Sequence, residues 1–198
     1  PAFGSQMGQL RLSAIFSSAI ALILIAKASQ KFSDGGFLYN VGLRKGDRSV
    51  VEVFVVPALA GLFFAAVSSA IIWLRHEQPV TPLSAVVAAT DSVWLFTAFL
   101  ALGVLAAPLI EEIIFRGYFF HVISRAKGER FAIYAISLVF AFLHAGQYWG
   151  DWAAIVMIML LGFALTILRA RTATTLASIV THYVYNAGVT IIPFYLVK

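Results

Sequence analysis

The sequence predicts an all-α, polytopic transmembrane helix bundle of about six spans, read as a single integral membrane domain over residues 1–198. Two features predict it. Charged residues make up only 12% of the chain and hydrophobic ones 61%, whereas a soluble domain usually carries about a quarter charged residues. The charges also gather between apolar runs of about 18–25 residues, long enough to cross a hydrocarbon core of about 30 Å. A membrane β-barrel would instead show short segments of alternating polarity, and the sequence has none.

Taken in order, the expected spans are 10–30, 50–74, 92–124, 131–147, 152–168 and 172–195. Arg11, the apolar run from Leu12 to Ala26 and the triplet Ala26-Lys27-Ala28 resemble a secretory signal; this segment is read as the first membrane helix. Residues 31–49 read as a polar loop with a turn at Asp34-Gly35-Gly36. Residues 75–91, which contain Pro79 and Pro82, read as a loop with a short interfacial segment, and Asp91-Ser92 is a helix start. The third span is too long for a simple crossing. About 33 residues at 1.5 Å each give roughly 50 Å, so it must tilt, kink at Pro108 or run beyond the bilayer.

Six spans sort the Lys and Arg residues onto two sides. Lys27, Lys31, Arg44, Lys45, Arg48, Arg125, Lys127, Arg130, Arg169 and Arg171 fall on one side; Arg11, Arg75 and Lys198 fall on the other. This asymmetry makes the rich side cytoplasmic and puts both termini outside. It also explains the net charge of +5 as a topology signal, so no nucleic-acid partner is expected. The expected location is the cell membrane, with a prokaryotic plasma membrane favoured by the small size. The chain has no cysteine, which removes disulfides, thiol catalysis and cysteine metal sites.

A few polar residues interrupt the spans: Glu111, Glu112 and Arg116 in the third, His144 in the fourth, His182 and Asn186 in the sixth. A charge at the bilayer centre costs about 2.5–3.5 kcal/mol, so such residues face the bundle interior and are functional by default. Counted from the cytoplasmic helix ends, Glu111, His144 and His182 lie at roughly 21, 20 and 15 Å, which predicts one shared site. Glu112 and Arg116 stand at i,i+4, the spacing of an ion pair on one helix face. Glu111 is about 100° around the helix from Glu112, which leaves it free to act as a base. His182 and Asn186 are also i,i+4 and can enter one pocket together. The bland readings are snorkelling for Arg116 and interhelical hydrogen bonding for either histidine or Asn186. His76 and His121, near span ends, are assigned structural or interfacial roles.

These residues form three motifs: Glu111-Glu112-Ile113-Ile114-Phe115-Arg116, Phe140-Ala141-Phe142-Leu143-His144 and His182-Tyr183-Val184-Tyr185-Asn186. In that order they resemble the Glu-Glu-x-x-x-Arg, Phe-x-x-x-His and His-x-x-x-Asn motifs of the CAAX-protease and bacteriocin-processing (CPBP, or Abi) family. Ala107-Pro108 and Phe115-Arg116-Gly117 fit the same pattern. The resemblance covers residues 92–190, a family-like catalytic core, and leaves residues 1–91 unmatched. It implies an intramembrane endopeptidase in which Glu111 and His144 activate a water while His182 and Asn186 stabilise the oxyanion, with Glu112 and Arg116 in support. The implied partner is a membrane-associated peptide or protein: a prenylated CAAX tail, a bacteriocin or pheromone precursor, or another membrane-borne peptide.

Other protease designs do not fit. His76-Glu77-Gln78-Pro79-Val80 breaks the zincin spacing, no serine elbow is present, and no paired aspartates lie in spans. Two imidazoles and a carboxylate suit zinc, so Glu111, His144 and His182 are the ligand set of a zinc alternative. A metal-free glutamate mechanism with no cofactor is favoured. Rival readings are a proton- or ion-coupled transporter, which the lack of an internal repeat disfavours, and a non-catalytic immunity or scaffold relative.

Overall fold

The computed structural model describes residues 27, 36–76 and 93–196, and all regular structure within them is helical. A single turn at Phe37–Asn40 (α1) precedes five long helices. These are α2 at Val51–Arg75, α3 at residues 93–127, α4 at Glu129–Ala145, α5 at Trp152–Thr172 and α6 at Thr175–Leu196. They occupy the five expected spans from residue 50 onward. The expected span 10–30, and residues 77–91 of the interfacial segment, lie outside the described residues.

Among the described residues, three helices are long and apolar enough to cross a membrane: α2, α5, and α4 with its 3-10 turn, Glu129–Tyr148. Only 28–39% of their most apolar stretches is buried inside the protein. The outward surface carries Phe63, Leu138, Phe142 and Leu160, and apolar surface on this scale is suited to lipid. The inward stripe of α4 is Ala132, Ile136, Ser137, Phe140 and Ala141, the spacing of one helix face.

The long third span is one helix with two widened turns. Its segments are α-helical at Val93–Ala101, π-helical at Leu102–Ala106, α-helical at Ala107–Glu112, π-helical at Ile113–Phe119 and α-helical at Phe120–Lys127. Pro108 supplies no N–H, and its ring collides with the carbonyl four residues back in a regular α-turn. The chain widens just before it, so that Ala107 N–H bonds Leu102 O, five residues back. Pro57 repeats the pattern in α2: the π turn Val51–Val55 precedes it, and Val56 N–H bonds Val51 O. Proline thus accounts for two of the three π turns among the described residues.

The most extensive helix contact is between α2 and α6, and small residues make it possible. A Cβ on Gly61 would stand 2.6 Å from Thr181 O, and one on Gly188 would collide with Ala65 Cβ. With backbones this close, Thr181 Oγ1 reaches Pro57 O at 2.9 Å. Packing and hydrogen bonding of this kind replace the hydrophobic drive that lipid does not provide between helices.

The loop expected to be merely polar does more. Val41 is fully buried, and its carbonyl accepts from Thr175 Oγ1 at 2.6 Å. Gly42 O accepts from Thr175 N at 2.8 Å and Thr174 Oγ1 at 3.0 Å. Gly42 adopts φ +66°, and Gly117 offers the opposing gap, where a Cβ would lie 3.0 Å from Val41 Cβ. Residues 41–42 therefore cover the α5–α6 turn and close the basic end of the bundle beneath the polar residues.

Candidate active site

Three helices bring Glu111, His144 and His182 to one place. Glu111 Oε2 lies 3.8 Å from His144 Nε2 and 3.9 Å from His182 Nε2. The helix ends are less level than counting along the sequence implies. His182 is about 10 Å from the start of α6, whereas Glu111 is about 24 Å from Lys127. They meet because α6 begins at Thr175, buried under residues 41–42, while α3 runs further out. On α4, His144 stands one residue before the helix end.

The two histidines are fixed from behind. His144 Nδ1 is 2.8 Å from Phe140 O, a carbonyl that can only accept, so Nδ1 carries a proton and Nε2 faces Glu111. Its ring packs on Phe140 with centroids 4.3 Å apart. His182 Nδ1 is 2.9 Å from Glu112 Oε1, which likewise turns Nε2 toward Glu111. The phenylalanine of the second motif thus sets the first histidine through its ring and its carbonyl.

The glutamates are unequal. Glu112 and Arg116 have no exposed side-chain surface and pair at 2.9 Å, so Arg116 does not snorkel. Arg116 also donates through Nε to Thr166 Oγ1 at 3.2 Å and through Nη2 to Gly162 O at 3.0 Å, and its Cζ lies 4.3 Å from the Phe140 ring centre. A Cβ at Gly162 would be 3.2 Å from Phe140 Cδ1, so glycine makes room for this arrangement. Ser137 Oγ, 3.1 Å from Thr166 Oγ1, completes the buried network. Glu111 retains 29% of its side-chain surface, the most accessible of the three converging groups. Of Glu111, Glu112 and Arg116, Glu111 alone combines accessibility with two imidazole neighbours.

Asn186 occupies the same face of α6 as His182, one turn on, and its Nδ2 donates to Gly103 O in the first π turn of α3 at 3.0 Å. Sequence spacing gave no sign of three of these partnerships. The Glu112–His182 bond, the Asn186–Gly103 bond and the Thr166–Ser137–Gly162 support of Arg116 all join residues far apart in the chain. Serine and threonine in an apolar helix, such as Ser137 and Thr166, are the one signal that pointed to buried partners.

Zinc can be tested against this donor set. Carboxylate oxygen and imidazole nitrogen suit the ion in kind. Bonds of about 2.0–2.1 Å in a tetrahedron place donors about 3.4 Å apart, closer than the 3.8 and 3.9 Å found here. Among the described residues no group of three or more His, Cys, Asp or Glu side chains is arranged to hold a metal ion. The donors fit zinc in kind and not in spacing.

Residues 92–188 match the family model for type II CAAX prenyl endopeptidase Rce1-like proteins. No curated protein and no solved structure matches the chain. The matched stretch contains Glu111, Glu112, Arg116, His144, His182 and Asn186, and it makes residues 92–188 a CAAX-protease-family core.

Proposed function

We propose that this protein is an intramembrane endopeptidase that hydrolyses a peptide bond in a membrane-associated substrate, with Glu111 as general base and no metal. The observation that carries the reading is the approach of Glu111 Oε2 to two imidazole Nε2 atoms at 3.8 and 3.9 Å. A water about 2.8 Å from both Glu111 Oε2 and His144 Nε2 would be oriented by the pair. Glu111 takes one proton from it, and the oxygen attacks the peptide carbonyl carbon. The carbonyl oxygen becomes the oxyanion, stabilised by donors from His182 and Asn186. Glu111 then returns the proton to the leaving nitrogen as the C–N bond breaks, giving a carboxylic acid and an amine, which part as carboxylate and ammonium after the acid's proton passes to the amine.

His182 donates from Nε2 only when both ring nitrogens carry protons, because Nδ1 faces Glu112.

A prenylated or otherwise lipid-anchored peptide is the substrate class that the family name offers, and a lipid anchor would hold it at the bilayer beside the bundle. The Lys and Arg asymmetry supports access from the cytoplasmic side of the cell membrane. The test uses purified protein in liposomes with farnesylated and unmodified forms of one peptide, read by product mass. Specific cleavage of the lipidated form supports the reading, and no cleavage of any anchored peptide counts against it. Single cysteines placed beside His144 and His182, probed with an impermeant thiol reagent, separate the transporter. A peptidase labels from the cytoplasmic face alone, and alternating access labels from both.

A further inference from the structure

Pro108 has no part in the chemistry above, yet it acts on the carbonyl that holds Asn186. Two amides along α3 are placed to bond Gly103 O: residue 107 in an α-turn and residue 108 in a π-turn. Ala107 N–H is engaged by Leu102 O. Residue 108 is a proline and has no N–H to give. Gly103 O is therefore left without a helical donor inside an apolar bundle, where backbone groups must be satisfied internally. Its partner is Asn186 Nδ2 at 3.0 Å. A carbonyl oxygen only accepts, so Asn186 must turn its NH2 end toward Gly103, and this removes the ambiguity between its two amide orientations. The plane of the amide is then set, and the second N–H of the same group stays free. His182 lies one turn earlier on the same face of α6.

We infer that the Gly103 carbonyl, stripped of its helical partner by Pro108, is the anchor that orients the Asn186 amide, which makes Pro108 a positioning residue for the site. The catalytic consequence rests on the peptidase reading; the hydrogen-bonded anchor does not.

Pro108→Ala supplies the missing N–H, which closes on Gly103 O and displaces Asn186. Alanine favours a helix interior over proline, so the melting temperature stays level or rises. In a peptide-cleavage assay kcat falls about tenfold with KM held within about twofold, part of the hundred- to thousandfold that follows loss of an oxyanion donor. A proline that served only the fold would lower stability and activity together. Asn186→Ala lowers kcat by itself, and in that background Pro108→Ala has no further effect. Wild-type kcat in Pro108→Ala, or an equal fall in both backgrounds, overturns the proposal. If the wild-type protein cleaves nothing, the peptidase reading fails and the anchor is read from thermal melts of the two single variants and the double. Non-additive shifts in melting temperature support the anchor; additive shifts overturn it.

Discussion

Replacing Arg116 with methionine removes the guanidinium that pairs with Glu112 while keeping much of the side chain's length and apolar bulk. Arg116 is fully buried, pairs with Glu112 at 2.9 Å, and donates to Thr166 and Gly162 O. Its loss leaves the Glu112 carboxylate in the same dry place with His182 as its one remaining hydrogen-bond partner. Breaking a buried pair from one side costs about 3–5 kcal/mol, a large share of the roughly 5–15 kcal/mol that keeps a domain folded. For a chain of this size that is a fall of about 6–20 °C in melting temperature. Glu112→Gln added to Arg116→Met removes the stranded charge, and the double variant recovers part of the loss. Thermal unfolding of the purified variants in detergent measures both effects. Arg116→Met melting within about 2 °C of wild type, or a double variant less stable than the single, would refute the stranded-charge argument.

Two further outcomes follow from particular distances. Gly61→Ala places a Cβ 2.6 Å from the Thr181 carbonyl, a backbone atom that cannot turn aside, so α2 must move off α6; a loss of about 1–3 kcal/mol is expected, read from the same melts. Treatment with a strong chelator leaves the rate of peptide cleavage unchanged; a loss of activity restored by added zinc would show that Glu111, His144 and His182 close up around an ion.

Much of the fold was legible because lipid imposes a coarse rule: apolar runs of spanning length become helices, and five of the expected spans are helices in the described residues. The local pairs were legible too. The i,i+4 register put Glu112 with Arg116 and placed His182 and Asn186 on one face, since both follow from helix geometry alone. What sequence could not give were partners set by helix packing. Glu112 and His182 are separated by 70 positions, and Asn186 and Gly103 by 83. Pro108 announced a disturbance in the third span without saying that the answer would be a wider turn. Val41 was missed for a different reason: one apolar residue in a polar loop has no periodicity, and its burial depends on the space left by Gly117.

The central claim is that Glu111, held beside His144, activates the attacking water. Its most direct test is single-turnover cleavage in water labelled with the heavy oxygen isotope, comparing wild type with Glu111→Gln. Wild type should place one labelled oxygen in the newly formed carboxylate. Glu111→Gln should melt as wild type does, since its contacts are long and its side chain is partly exposed, while cleaving at least about a hundredfold more slowly. Cleavage by folded Glu111→Gln at the wild-type rate would contradict the account.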